Sequence, residues 1–143
     1  MKRISIFFAA LLLVFGLSNC STDNDLTGDS SFNLNDTLKL AIDKSAINND
    51  NQLTISIDSV LSDSRCPSDV VCVWEGNAEV RFLLNNDGKK LKFILNSHGG
   101  DNYPSDTTIS GYYIKMVELH PYPVSTSKIA NSEYVADLLI KKE

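Results

Sequence analysis

Cys66 and Cys72 are the residues whose type and spacing most invite chemistry, within Cys66-Pro-Ser-Asp-Val-Val-Cys72-Val-Trp74-Glu-Gly76. The segment holds two of the three cysteines and the only tryptophan. Two thiols can close a disulfide, ligate a metal or exchange electrons. Metal sites and thioredoxin-like redox sites favour Cys-x-x-Cys, which sets both sulfurs on one centre. Five intervening residues fit neither well, whereas Pro67-Ser68-Asp69 supplies the turn chemistry of a small closed loop. A structural disulfide between Cys66 and Cys72 is the expectation.

The remaining catalytic vocabulary is thin. His98 and His120 are the only histidines, one in a polar stretch and one beside a proline. No nucleophile elbow, His-Glu-x-x-His pair or phosphate-cradling glycine loop is present, and Gly99-Gly100 reads as a loop pivot. A metal site from His98, His120 and Asp101 requires the fold to bring them together, and no metal or other cofactor is expected. Asp63, Asp69, Glu75 and Glu79 read as solvated charges. Arg65 is expected to pair with Asp63 or Glu75 at the surface, where such a pair contributes little. Tyrosines near loop and strand ends are better candidates, because tyrosine offers contact area at low entropic cost. Tyr103, Tyr112 or Tyr113, and Tyr122 are placed so. His98, Tyr103, His120 and Tyr122 together form the candidate binding surface.

The elements that must hold these residues read as strands. Cys72, Trp74, Gly76, Ala78, Val80, Phe82 and Leu84 alternate with polar neighbours, which predicts one half-buried strand with the indole over the disulfide. Asp87-Gly88 suits a type I′ turn and would pair Leu84 with Leu91, Phe82 with Phe93 and Val80 with Leu95. Upstream, Phe32, Leu34, Leu38, Leu40 and Ile42 mark a first strand. Asn48 to Asn51 turns the chain into a second strand through Leu53, Ile55 and Ile57, ending near Leu61. Residues 96–110 form the longest polar interval of the domain. Tyr112 to Leu119 carries apolar residues on both faces, which calls for a bulge or double burial, and His120-Pro-Tyr-Pro stops it. Val124 to Ser132 is a loop with room for a helical turn, and Tyr134, Ala136, Leu138 and Ile140 mark the last strand. The expected fold is all-β: a single antiparallel β-sandwich or partly open barrel of six to seven strands with one short-loop disulfide.

The chain begins with an address. Residues 1–19 join a basic Lys2-Arg3 to an apolar run too short for a membrane span, the form of a signal peptide. Leu17-Ser18-Asn19-Cys20 resembles a bacterial lipobox, whose cysteine is lipidated and becomes the first mature residue; Asn19 is bulkier than is usual there. Lipid on Cys20 leaves one cysteine pair and no odd thiol. Residues 20–31 are polar and read as a flexible tether, and residues 32–143 form the β domain. The tether's aspartates do not complete a calcium loop, since Leu34 stands where a glutamate is needed. Cleavage removes Lys2 and Arg3 and moves the net charge from −5 to −7. That charge disfavours nucleic acid as a partner and leaves membrane attachment to the N-terminal lipid.

Asp63-Ser64-Arg65-Cys66-Pro67, Cys72-Val73-Trp74-Glu75-Gly76 and Pro121-Tyr122-Pro123 together resemble a group of small uncharacterised bacterial lipoproteins. Their motifs are Asp-Ser-Arg-Cys-Pro, Cys-x-Trp-x-Gly and Pro-Tyr-Pro, with alanine commoner at the position of Glu75. The resemblance implies the domain boundaries and the disulfide, and carries no activity. Ser21-Thr22-Asp23-Asn24-Asp25 resembles the acidic surface-export signal of Bacteroidetes lipoproteins, and Asp106-Thr107-Thr108 resembles an O-glycan acceptor there, with Thr107 as its site. These resemblances imply an outer-membrane lipoprotein, on the cell surface or the periplasmic face. The expected function is non-enzymatic binding of an envelope protein or a glycan. The alternatives are an inhibitor of an envelope protease or lysozyme, and a small histidine-dependent hydrolase.

Overall fold

The structure, a computed structural model, describes residues 30–100 and 102–143. The expected signal peptide, the lipobox resemblance at Cys20, the export-signal resemblance and Asp101 lie outside the described residues.

Among the described residues, nine strands build two sheets of a sandwich. They are β1 (Ser30–Ser31), β2 (Thr37–Ala41), β3 (Ser45–Asn48), β4 (Leu53–Asp63), β5 (Ala78–Asn86), β6 (Lys89–Asn96), β7 (Asp106–Ile109), β8 (Tyr112–His120) and β9 (Val135–Lys142). One sheet has the order β1-β3-β4-β5-β6, the other β2-β9-β8-β7. All pairs are antiparallel except β1 with β3. The all-β sandwich is therefore as the sequence predicts, with β1, β3 and β7 added. Strands of two to four residues are too short to show a period of two. Pairing of Ser30–Ser31 with Ala46–Ile47 also moves the start of the domain ahead of residue 32.

The core follows the alternation. Leu53, Ile55 and Ile57 on β4, Val80, Phe82 and Leu84 on β5, Ile114 and Met116 on β8, and Ala136, Leu138 and Ile140 on β9 are buried between the sheets. The β5–β6 hairpin has the predicted register: Leu84 faces Leu91, Phe82 faces Phe93 and Val80 faces Leu95. Phe82 and Phe93 stack with centroids 5.5 Å apart. The double-faced β8 is resolved by a bulge between Met116 and Glu118, which turns Leu119 inward and leaves Val117 exposed.

Chain direction divides the sandwich into two ends. Residues 64–77, 97–105 and 121–134 connect strands at one end, and the tight turns at Asn49–Gln52, Asp87–Gly88 and Ser110–Gly111 lie at the other. The ladders tie the second group together, since Asn48, Leu53 and Asn86 share one row and Lys142 reaches Asn51. The end with the long connections carries the disulfide and is called the disulfide end below.

Candidate functional site

The disulfide end is built on two extra rungs above the β4–β5 ladder. Asp63 pairs with Ala78, after which the Ser64 N–H donates to the Asn77 carbonyl and the Cys66 N–H to the Glu75 carbonyl, each at 2.8 Å. The two backbones run so close that a Cβ on Gly76 would lie 1.9 Å from the Ser64 oxygen. Gly76 also has φ +73°, a conformation that glycine adopts without strain. This interrupts the predicted strand: β5 begins at Ala78, and Cys72 to Asn77 is irregular. Beyond the rungs, Cys66 and Cys72 are joined by a disulfide, which closes the loop.

Arg65 seats that loop. The residue is only 5% exposed, which corrects the expectation of a surface ion pair. Its Nε and Nη2 donate to the two Asp63 oxygens at 2.9 and 2.6 Å. The same guanidinium donates to the carbonyls of Leu119 and Pro121, and the Tyr122 ring covers it at 5.0 Å. Tyr134 donates its hydroxyl to Asp63 at 3.1 Å. A buried charge is tolerable only when paired and hydrogen-bonded, and Arg65 is paired with Asp63 and makes four side-chain hydrogen bonds. Burial pushes the Asp63 carboxyl up, but Arg65 and Tyr134 outweigh it and hold the group below the usual carboxylate range. Burial, with the adjacent Asp63 charge, pushes the Tyr134 phenol up to about 12.

Two outer contacts complete the seat. Ser68 donates its N–H to the Pro123 carbonyl at 2.9 Å, and Asp69 accepts from both the N–H and the hydroxyl of Ser125. The disulfide loop is thus tied at its base to the 119–125 segment, in which the His120–Pro121 peptide is cis.

The loop's own side chains point away from this support. Val71 is 101% exposed, Val73 109% and Trp74 67%, and Val70 is exposed beside them. Trp74 therefore does not lie on the half-buried strand that its even spacing suggested; its indole is exposed and lines the same depression as the disulfide. Cys66, Val70, Val71, Cys72, Val73, Trp74 and Glu75 line an open depression of about 560 Å³. A closed ring of seven residues has no interior in which to bury three valines and an indole. That size, together with the apolar run Val70-Val71-Cys72-Val73-Trp74, is the signal from which this surface was readable.

Of the sequence-derived site residues, His98 and Tyr122 stand beside this loop and the others do not gather around it. His98 follows β6, with Nε2 3.4 Å from Glu75 Oε2. Tyr103 is exposed in the connection to β7, where it forms a bridge with Gly100. Tyr122 is exposed at its rim yet occupied beneath by Arg65. His120 ends β8 on the outer face of the other sheet, with Nε2 3.6 Å from Asp137 and 3.7 Å from Glu118. The two histidines thus have separate partners. Tyr112 is buried in the core, and Tyr113 donates to Asp106. The polar interval is shorter than expected, because β7 takes residues 106–109. Thr107 lies on that edge strand, half-buried on the side of Ile109, while Thr108 faces out.

One arrangement was not read from the sequence. The Ser97 hydroxyl lies 3.3 Å from His98 Nδ1, so Ser97, His98 and Glu75 form a line. Ser97 Oγ is already engaged, accepting from the Ala78 N–H at 2.9 Å and contacting Asn77 Oδ1 at 3.3 Å. Its geometry is that of a cap on the first residue of β5. Among the described residues no group of three or more His, Cys, Asp or Glu is placed to hold a metal.

No protein-family model, curated protein or solved structure matches this chain.

Proposed function

We propose that the chain is a cell-envelope lipoprotein, held at the outer membrane through Cys20, whose β domain works by binding and not by turnover. The contact surface of this reading is the disulfide loop. The observation that carries it is the full exposure of Val71 and Val73 beside Trp74 on a loop whose base is immobilised by a buried arginine. Exposed apolar groups gain free energy only when something covers them. A loop already held in shape loses little conformational freedom when that happens. His98 and Tyr122 flank the loop in this reading, and Tyr103 and His120 are not part of it.

Capture of cell-envelope material by the full chain tests the reading. Wild type is expected to retain material that Val71→Ser/Trp74→Ala loses, with thermal stability unchanged because both side chains are outside the core. A hydrolase reading rests on the Ser97–His98–Glu75 line. Turnover of envelope glycans or peptides that is lost in Ser97→Ala and His98→Ala would replace binding with catalysis.

A further inference from the structure

The two ends of the sandwich differ in polarity. Val70, Val71, Val73, Trp74, Tyr103, Tyr122 and Val124 are all exposed in the connections of the disulfide end. Among the described residues, no large hydrophobic side chain is exposed in the turns of the opposite end, where Asp50 and Asp87 sit in turns and Lys89 and Lys142 at strand ends. The apolar tip is aliphatic with one indole, and Tyr122, which covers Arg65 at the base of the loop, stands behind it. That order of side chains matches a membrane interface, where aliphatic groups enter the acyl region and Trp and Tyr sit at headgroup level.

Strand direction brings the membrane anchor to the same end. β4 runs toward the disulfide, β3 is antiparallel to it, and β1 is parallel to β3. β1 therefore runs away from the disulfide end, and the chain joins it from that side. Ser30 lies level with Leu84 through Ala46 and Ile55. From Leu84 to the rung at Glu75 is about 30 Å at the rise of a strand. The ten residues from Cys20 through Asp29 span at most about 35 Å. At full extension the tether thus lets a lipid on Cys20 reach the height of the apolar tip.

We propose that Val70, Val71, Val73 and Trp74 dip into the surface of the lipid bilayer that holds the anchor, giving the domain a second, shallow membrane contact. This rests on the disulfide loop being the contact surface and names what covers it. Asp69 and Glu75 bracket the apolar run and limit its depth. Arg65 is buried, so the contact is apolar and does not depend on anionic lipid. A glycan fits this tip less well, because sugar recognition needs polar side chains converging beside the aromatic face, and the depression is lined mainly by valines and the disulfide.

Trp74 is the only tryptophan and reports directly on the tip. The full chain is reconstituted into phosphatidylcholine vesicles, with and without brominated acyl chains. The expected result is blue-shifted Trp74 emission, quenched strongly by the brominated lipid and equally at low and high salt. Val71→Ser/Val73→Ser should lose both effects while keeping the melting temperature of wild type. Red, unquenched emission in the vesicles overturns the membrane contact. Quenching that is unchanged in the double variant does so too, since the tether alone then explains it. If the vesicles fail while capture of envelope material still depends on Val71 and Trp74, the binding reading stands with a protein or glycan in the lipid's place. If both fail, the loop is not a contact surface.

Discussion

Arg65 lies beneath Tyr122, its guanidinium carbon 5.0 Å from the ring centroid, and joins two segments more than fifty residues apart in the chain. One face of the guanidinium is covered by the ring while its edge is occupied by Asp63 and two carbonyls. This single side chain connects the sequence-local disulfide loop to the proline corner.

Removing it leaves Asp63 uncompensated at a partly buried site. Arg65→Ala should cost about 3–5 kcal/mol, the range for breaking a buried pair. Arg65→Lys should recover only part, since an ammonium cannot match the two-pronged contact with Asp63. Urea unfolding of the three proteins measures this, and a loss below about 1 kcal/mol for Arg65→Ala would show that the seat is not structural.

The same cluster makes stability depend on pH at both extremes. Asp63 titrates lower in the folded protein than its ordinary value, so its contribution is present above about pH 4 and is lost as the pH falls through the folded value. Tyr134 titrates higher, at about 12, so its contribution is intact below about pH 10 and is lost as pH rises toward 12. Urea midpoints against pH should show both limbs. Asp63→Asn should flatten the acid limb, and Tyr134→Phe the alkaline one.

Gly76→Ala tests the close approach of the two backbones. The left-handed backbone alone costs about 1–3 kcal/mol for a residue with a Cβ. The contact with the Ser64 oxygen adds to that or forces the rungs apart. Faster hydrogen exchange at the amides of Ser64 and Cys66, with β5–β6 unchanged, is the expected signature.

The disulfide closes a short ring, so its reduction should cost only about 2 kcal/mol. The core and the Arg65 network remain, and the reduced domain should stay folded. Intact mass with alkylation before and after reduction checks the pairing, and melting of Cys66→Ser/Cys72→Ser checks the magnitude.

The proposed lipid on Cys20 predicts that Cys20→Ala releases most of the protein from the membrane fraction, because the proposed shallow apolar contact is far weaker than acyl chains. Retention of the variant with its full signal-peptide mass would instead point to a membrane-spanning N-terminus.

By itself the sequence determined the repeated features. Period-two alternation set the inward faces of β4, β5 and β9, and Asp87-Gly88 with six apolar residues set the hairpin register, because a slip of one would turn every side chain to the wrong face. The cysteine pair was readable from its five-residue spacing and the turn chemistry of Pro67-Ser68-Asp69. Tertiary structure decided what alternation cannot carry. Arg65 is buried because carbonyls from 119 and 121 arrive to accept its protons, and no local pattern records that arrival. Trp74 shares parity with the buried face of β5, yet the positive φ of Gly76 ends the extended backbone before that parity applies. The apolar tip is exposed because its ring is too small to enclose it, and the chain that returns beneath it is occupied with the charge of Arg65.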